Sequence, residues 1–258
     1  MLESDVIPFL VGQAGGDDGV LVSRVIRTYG LPESRVSELL GALFDGASNP
    51  TMAFLASAGE IKVRLTARAP NEAAAAALLD PIEAQIRDRL GHRVFAVDGG
   101  SIESIVLGLV REKGWSLGTA ESATGGLIAS RLTSVAGSSA SFVGSVVAYT
   151  SGAKRDLLGV PSDVIEKYGL VSEETALAMA SGAAERLPAD VVAAVTGSAG
   201  PEPLDAPVGT MVVAVRTPED IRARVLRLPP DRDLARTLAT TAALQMLRLA
   251  VTGAWWRV

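Results

Sequence analysis

Between Asp190 and Ser198 the chain carries an unbroken apolar run, Val191-Val192-Ala193-Ala194-Val195, which ends in Thr196-Gly197. A strand that is apolar on both faces must be covered on both faces, which requires a sheet sandwiched between helices. The surrounding residues supply those helices. Periodicity predicts a helix over 102–113, strands over 116–120 and 142–149, and a helix over 124–132 between them. Helices over 153–158, 161–168 and 172–187 come next; after the apolar run there are strands over 209–215 and 221–226 and a closing helix over 231–251. Residues 101–258 are therefore expected to form a three-layer α/β/α domain with a mainly parallel sheet. Ligands of open α/β sheets lie beyond the carboxyl ends of the strands. That rule selects three stretches: Glu121–Gly126, Ala148–Lys154 and Thr196–Pro201.

Residues 1–98 read differently. A short apolar segment, Val6–Val11, and a Gly-rich loop, Gly12–Gly19, precede an alternating strand over 20–28. Pro32-Glu33-Ser34 opens a helix with Gly46 beyond its end, and a hairpin turns at Ala58-Gly59. Asn71 caps an Ala-rich helix reaching Leu90, and Arg93–Val97 is a final strand. The order β-α-β-β-α-β predicts a small α+β split-βαβ domain, ferredoxin-like or KH-like. Asp98-Gly99-Gly100-Ser101 is the linker. Nine Lys/Arg against thirteen Asp/Glu, a net of -4, together with the lack of a GXXG loop, argue against nucleic acid and for a packing or dimer-forming module.

Composition narrows the chemistry. The chain of 258 residues has no Cys and a single histidine, His92, at a Gly91 turn in the first domain. Thiol nucleophiles, Cys/His zinc sites and disulfides are excluded, and a Ser-His-Asp triad would need His92 to cross between domains. The net charge of -5 gives no case for a polyanion partner. The longest uncharged run, Leu132–Ala153, holds eight Ser or Thr residues and is no membrane span. A cytoplasmic enzyme with no bound metal or cofactor is the expectation.

Ser122 precedes a helix start, where unpaired N–H groups and the dipole favour a developing oxyanion. On the residues alone it reads first as a helix cap. Lys154, one of three lysines after residue 100, lies in the first turn of a helix that follows a strand, where the dipole lowers its pKa. It is either the base of a Ser–Lys pair or a solvated helix residue. Tyr149 could relay that proton or merely cap the sheet. Thr196-Gly197 opens either a ligand cradle or a plain turn. Arg232 and Arg236 share a helix face and form either an anion clamp or exposed surface.

From about Arg24 onward the chain resembles the competence/damage-inducible CinA proteins. Residues 101–258 look like their nicotinamide-nucleotide amidase domain. The matching stretches are Ala120–Leu127, Val147–Thr150 with Lys154, Leu157–Val160, Gly169–Glu174, Ala194–Pro201 and Pro207–Thr210. The resemblance implies hydrolysis of the carboxamide of nicotinamide mononucleotide to nicotinate mononucleotide and ammonia, by a homodimer. It implies Ser122 as nucleophile, Lys154 as general base and Tyr149 as a partner in proton handling. Substrate-binding roles fall to Glu121, Thr124, Gly125, Gly126, Thr196, Gly197 and Arg236, with oxyanion donors at the Thr124-Gly125-Gly126 helix start.

Three departures stand out: Ala123 replaces a usual Cys, Ala136 a usual Pro, and Glu202-Pro203-Leu204-Asp205-Ala206 a loop that usually contains Gly-Gly. The last alters the rim of the site. It keeps two alternatives open: a non-catalytic nucleotide-binding or assembly module, and hydrolysis of a larger nicotinamide dinucleotide or derivative. Full-length relatives also carry an N-terminal molybdopterin-binding-like domain associated with ADP-ribose pyrophosphatase activity. No counterpart is present, so that activity is not expected, and Met1 is read as beginning a truncated form.

Overall fold

A computed structural model describes residues 19–44 and 48–255; the apolar segment 6–11, most of its Gly-rich loop and Gly46 lie outside the described residues. The chain divides into two compact units, one ending at Gly99 and the other beginning at Gly100.

In the first unit the order is β1 (Val20–Tyr29), α1 (Glu33–Phe44), β2 (Thr51–Ser57), β3 (Glu60–Ala69), α2 (Glu72–Leu90) and β4 (Val94–Val97). The strands lie in the order β2-β3-β1-β4, antiparallel throughout. This is the expected ferredoxin-like arrangement. Strict alternation in β3 sends Ile61, Val63, Leu65 and Ala67 inward and leaves Arg64 and Arg68 exposed. The inward set packs with Ile26, Val36, Leu40, Leu79 and Ile86 of β1, α1 and α2. Asn71 caps α2 by accepting from the Ala74 N–H at 2.9 Å.

The second unit contains α3 (Ile102–Glu112), β5 (Leu117–Glu121), α4 (Leu127–Thr133), β6 (Phe142–Val147), α5 (Ser151–Leu158), α6 (Ser162–Tyr168) and α7 (Glu173–Arg186). It continues with β7 (Val191–Gly197), β8 (Thr210–Arg216), β9 (Ile221–Arg227) and α8 (Arg232–Val251). The apolar run is β7, the central strand of the order β6-β5-β7-β8-β9, and all seven of its residues are buried. Val192 and Ala194 pack with Met179, Ala180 and Ala183 of α7. The opposite face of the sheet is covered by α8, itself buried along most of its length.

The sheet is mixed: β5, β6, β7 and β9 point one way and β8 alone runs against them. β5 runs parallel to β6 and β7, whereas β7/β8 and β8/β9 are antiparallel. The reason lies in the connections: residues 198–209 and 217–220 contain no helix to carry the chain back to the starting edge, as a parallel crossover needs. The helix expected from Thr124 begins instead at Leu127, because Gly125 and Gly126 take left-handed φ values of 62° and 95°. Among the described residues no helix is long and apolar enough to cross a membrane.

The packing of α7 against the end of α5 depends on Gly182, where an added Cβ would collide with the Leu158 carbonyl. Gly182→Ala is expected to lower the unfolding free energy by about 1–3 kcal/mol. Gly108→Ala, in α3 with nothing near the new methyl, is expected to raise it by about 0.5–1 kcal/mol. Urea unfolding of the two variants measures both.

Candidate active site

The Ser122 turn is tied on several sides before any ligand is considered. The Ser122 N–H donates to the Val195 carbonyl of β7 at 2.9 Å, and the Ala148 N–H donates to the Glu121 carbonyl at 2.8 Å. The next three residues make a tight reversal, with the Gly125 N–H returning to the Ser122 carbonyl at 3.0 Å. Two successive positive-φ residues are steric territory for glycine, which is why Gly-Gly stands there.

Glu121 holds this turn from beneath. Its carboxylate is fully buried and accepts from the N–H groups of Gly126, Ile128 and Ala129 at 2.9, 3.1 and 2.9 Å. Those are amides at the start of α4. The Thr119 and Ser145 hydroxyls also reach it, at 3.3 and 3.4 Å. Glu121, expected to contact substrate, is therefore buried out of reach of a ligand. Of the three amides expected to serve an oxyanion, that of Gly126 is taken by this carboxylate, since a buried charge must be matched by donors, and that of Gly125 by the Ser122 carbonyl, while that of Thr124 is open. The turn amides of Ala123 and Thr124, one and two residues after Ser122, have no protein acceptor among the described residues.

Arg236 of α8 holds the turn from the other side. Its Nε donates to the Ala123 carbonyl at 3.0 Å and its Nη2 to the Thr124 carbonyl at 3.1 Å. Because C=O and N–H of a trans peptide point in opposite directions, fixing the Ala123 carbonyl also aims the Thr124 N–H away from the guanidinium. Arg236, expected to anchor substrate, grips the backbone here. Thr124 is buried, and its hydroxyl oxygen has no hydrogen-bond partner among the described residues.

Lys154 is brought to Ser122 by the 150–154 turn. Thr150 caps α5 by accepting from the Ala153 N–H at 3.1 Å, which orients the first turn of the helix. The Lys154 Nζ then lies 2.8 Å from Ser122 Oγ and donates to the Ala148 carbonyl at 3.0 Å. The side chain is 1% exposed. Burial pushes its pKa down to about 8, against the opposing pull of the Asp205 carboxylate. A lysine in that range is a competent acceptor for a serine proton near neutral pH.

A cavity of about 270 Å³ opens beside the pair, lined by Ser122, Tyr149, Leu170, Gly197, Leu204 and Arg232, among others. Ser122, Tyr149 and Gly197 of the expected set line it, with Lys154 behind Ser122; Glu121, Thr124, Thr196 and Arg236 do not. The Tyr149 hydroxyl accepts from Arg232 Nη2 at 3.1 Å and makes no hydrogen bond to Ser122 or Lys154. Thr196 is buried, and its hydroxyl donates to the Leu170 carbonyl at 2.7 Å. Arg232 completes its fork by donating to the Gly200 carbonyl at 2.6 Å. Sequence spacing paired Arg232 with Arg236 but could not tell which of them faces a cavity. Leu170 and Asp205 carried no chemical signal at all, being an aliphatic residue in a turn and an acid in a divergent loop.

These features define an α/β protein with a buried Ser–Lys pair on a strand-to-helix turn. Residues 100–251 match the CinA C-terminal domain and residues 23–96 the KH domain of damage-inducible protein CinA. A CinA-like protein of Frankia casuarinae is 42% identical over 257 residues, covering 98% of this chain and 59% of that relative. One from Kosmotoga olearia is 39% identical over 253 residues, covering 97% and 61%. The solved competence/damage-inducible protein of Agrobacterium tumefaciens is 38% identical with a TM-score of 0.56, covering 61% of this chain and 99% of that one. The chain belongs to the CinA family, and it spans about three fifths of the length of the curated relatives it matches.

Replacing Glu121 strips the acceptor from three amides at once. Glu121→Ala is expected to cost about 3 kcal/mol or more of unfolding free energy, and Glu121→Gln, which keeps one acceptor oxygen, less. Denaturant midpoints and slopes of the two variants provide the check.

Proposed function

We propose that the second unit hydrolyses the carboxamide of nicotinamide mononucleotide, releasing ammonia and nicotinate mononucleotide. The observation that carries this reading is the 2.8 Å contact between Ser122 Oγ and a buried lysine whose pKa is lowered to about 8. Neutral Lys154 accepts the Ser122 hydroxyl proton as Oγ adds to the amide carbon. The negative charge that develops on the carbonyl oxygen has two turn amides available, those of Ala123 and Thr124. A donor of this kind is commonly worth about 3 kcal/mol in the transition state. The Lys154 ammonium then gives its proton to the departing nitrogen, ammonia leaves, and an acyl-serine remains. Water adds to the acyl carbon with Lys154 again taking a proton, and the acid is released with Ser122 restored.

The cavity supports the same substrate. Its volume of about 270 Å³ lies just below the usual range for a whole drug-sized ligand. It suits a flat ring bearing a carboxamide, with Leu170 and Leu204 as apolar walls. The ribose phosphate would extend to the rim, where the Arg232 guanidinium, held by Tyr149 and Gly200, supplies a positive charge and its remaining N–H groups to an anion. A pure binding module has no use for a desolvated lysine held against a serine hydroxyl, which is costly to maintain.

Ser122→Ala and Lys154→Ala are each expected to reduce ammonia release from the mononucleotide by about a thousandfold or more. Because only the neutral amine accepts the proton, kcat/KM should rise with pH and level off above a midpoint near 8. Arg232→Ala should raise KM about ten- to a hundredfold for the mononucleotide, the loss of a charge-assisted contact, and much less for the phosphate-free riboside. Full activity in both of the first two variants would remove the assignment. Faster turnover of a dinucleotide would redirect the substrate, and saturable binding with no ammonia would favour the binding module.

A further inference from the structure

The loop that departs from the family pattern, residues 202–206, is fastened at Asp205. The Asp205 carboxylate accepts from the Leu170 N–H through one oxygen and from the Val171 N–H at 3.2 Å through the other. These two amides belong to the turn between α6 and α7. The turn is shaped to receive the carboxylate: Gly169 has φ 88°, and a Cβ there would stand 2.5 Å from an Asp205 oxygen. Ser172 and Thr175 both donate to the Gly169 carbonyl, at 3.0 and 2.6 Å, so the turn is rigid on its own side. On the loop side, the Leu204 N–H donates to the buried Ser198 hydroxyl at 3.1 Å.

The consequence reaches the pocket. Leu170 and Leu204 both line it, and both are held by this junction. The Leu170 carbonyl also receives the Thr196 hydroxyl, so the turn, the loop and the end of β7 are joined around Asp205. Resting on the reading of Ser122 and Lys154 as the reacting pair, we propose that Asp205 is a positioning residue. Its carboxylate clasps the 202–206 loop to the Leu170–Val171 turn and builds the apolar wall that holds the amide-bearing ring.

A second effect, on charge, follows from the surroundings of Lys154. Asp205 is the carboxylate whose field favours the Lys154 ammonium, against the burial that disfavours it. The other ionisable groups nearby are differently engaged. Glu121 is bound to the amides of α4, and Tyr149 accepts from Arg232. Glu202 and Arg232 line the pocket, and Arg155 and Asp156 follow Lys154 on its own helix and are exposed. A change at Asp205 therefore alters both how the ring is held and the pH at which the base becomes competent.

The test uses the full chain, which has four lysines, Lys62, Lys113, Lys154 and Lys167. With 13C-labelled lysine side chains, the Lys154 resonance is assigned through Lys154→Arg and titrated by NMR without substrate. Asp205→Asn removes the charge and keeps one acceptor; the Lys154 midpoint is expected to fall below that of the wild type. The rising limb of kcat/KM against pH should move down with it. Asp205→Ala also releases the loop and is expected to raise KM severalfold with a smaller change in kcat, while Asp205→Glu restores most of both. A KM unmoved in Asp205→Ala would overturn the proposal, and a Lys154 midpoint unmoved in Asp205→Asn would overturn its electrostatic consequence. A wild type that releases no ammonia, with the midpoint still shifted, would remove the amidase reading and leave the charge assignment standing.

Discussion

The carboxylate of Glu121 is the interaction on which the site rests. It lies at the end of β5, fully buried, with three backbone amides of the α4 start and two hydroxyls directed at it. Taking a carboxylate out of water is expensive, and only such a dense set of donors offsets it. Hydrogen bonds to a charged group contribute about 1.5–3 kcal/mol each, so the cluster is strong enough to dictate the path of the chain above it. That path is the Ser122–Gly126 reversal. Its other restraints, the Val195 carbonyl on the Ser122 N–H and the Arg236 guanidinium on the Ala123 and Thr124 carbonyls, act on a turn already fixed from below.

A second balance governs Lys154. Burial and the amino end of α5 both disfavour a cation there, while Asp205 favours one. The amine is left with a pKa of about 8 because these influences oppose each other. The Ala148 carbonyl takes one of its protons at 3.0 Å and so fixes where the nitrogen stands relative to Ser122. The two balances are independent in origin, since one belongs to the β5 turn and the other to the α5 turn and the 202–206 loop. The parallel pairing of β5 with β6 brings the ends of those strands to one edge of the sheet.

Much of this was legible in the residues alone. The apolar run at 191–195 required a covered central strand, and β7 is one. Alternation in β3 and the turn at Ala58-Gly59 marked the hairpin of the first unit. Gly125-Gly126 after Ser122, and Lys154 just past a strand end, were visible as chemistry-bearing groups. Only β8 runs against the expected direction, because apolar periodicity identifies a strand without its orientation, and the connections on either side of β8, which lack a crossover helix, decide it. Arg232 and Arg236 are one turn apart and chemically identical, so nothing local separates the one that faces the cavity from the one that grips the turn. Glu121 was expected as a ligand contact from the resemblance, which carries no information on burial, and its carboxylate is fully buried.

By itself the sequence determined the element order, the two folding units, the three loops that supply the site and the Ser122 and Lys154 side chains. These properties are carried by short-range periodicity, by turn residues and by the exclusion of Cys and of any second His. Only the tertiary structure decided which backbone amides are consumed and which remain open, which arginine reaches the cavity, and that Asp205 closes its wall. Arg236 meets a carbonyl 113 residues away, and Asp205 meets amides 34 and 35 residues away. Partnerships across such distances are set by how the elements pack, because a buried polar group takes whichever donor or acceptor the fold brings within reach.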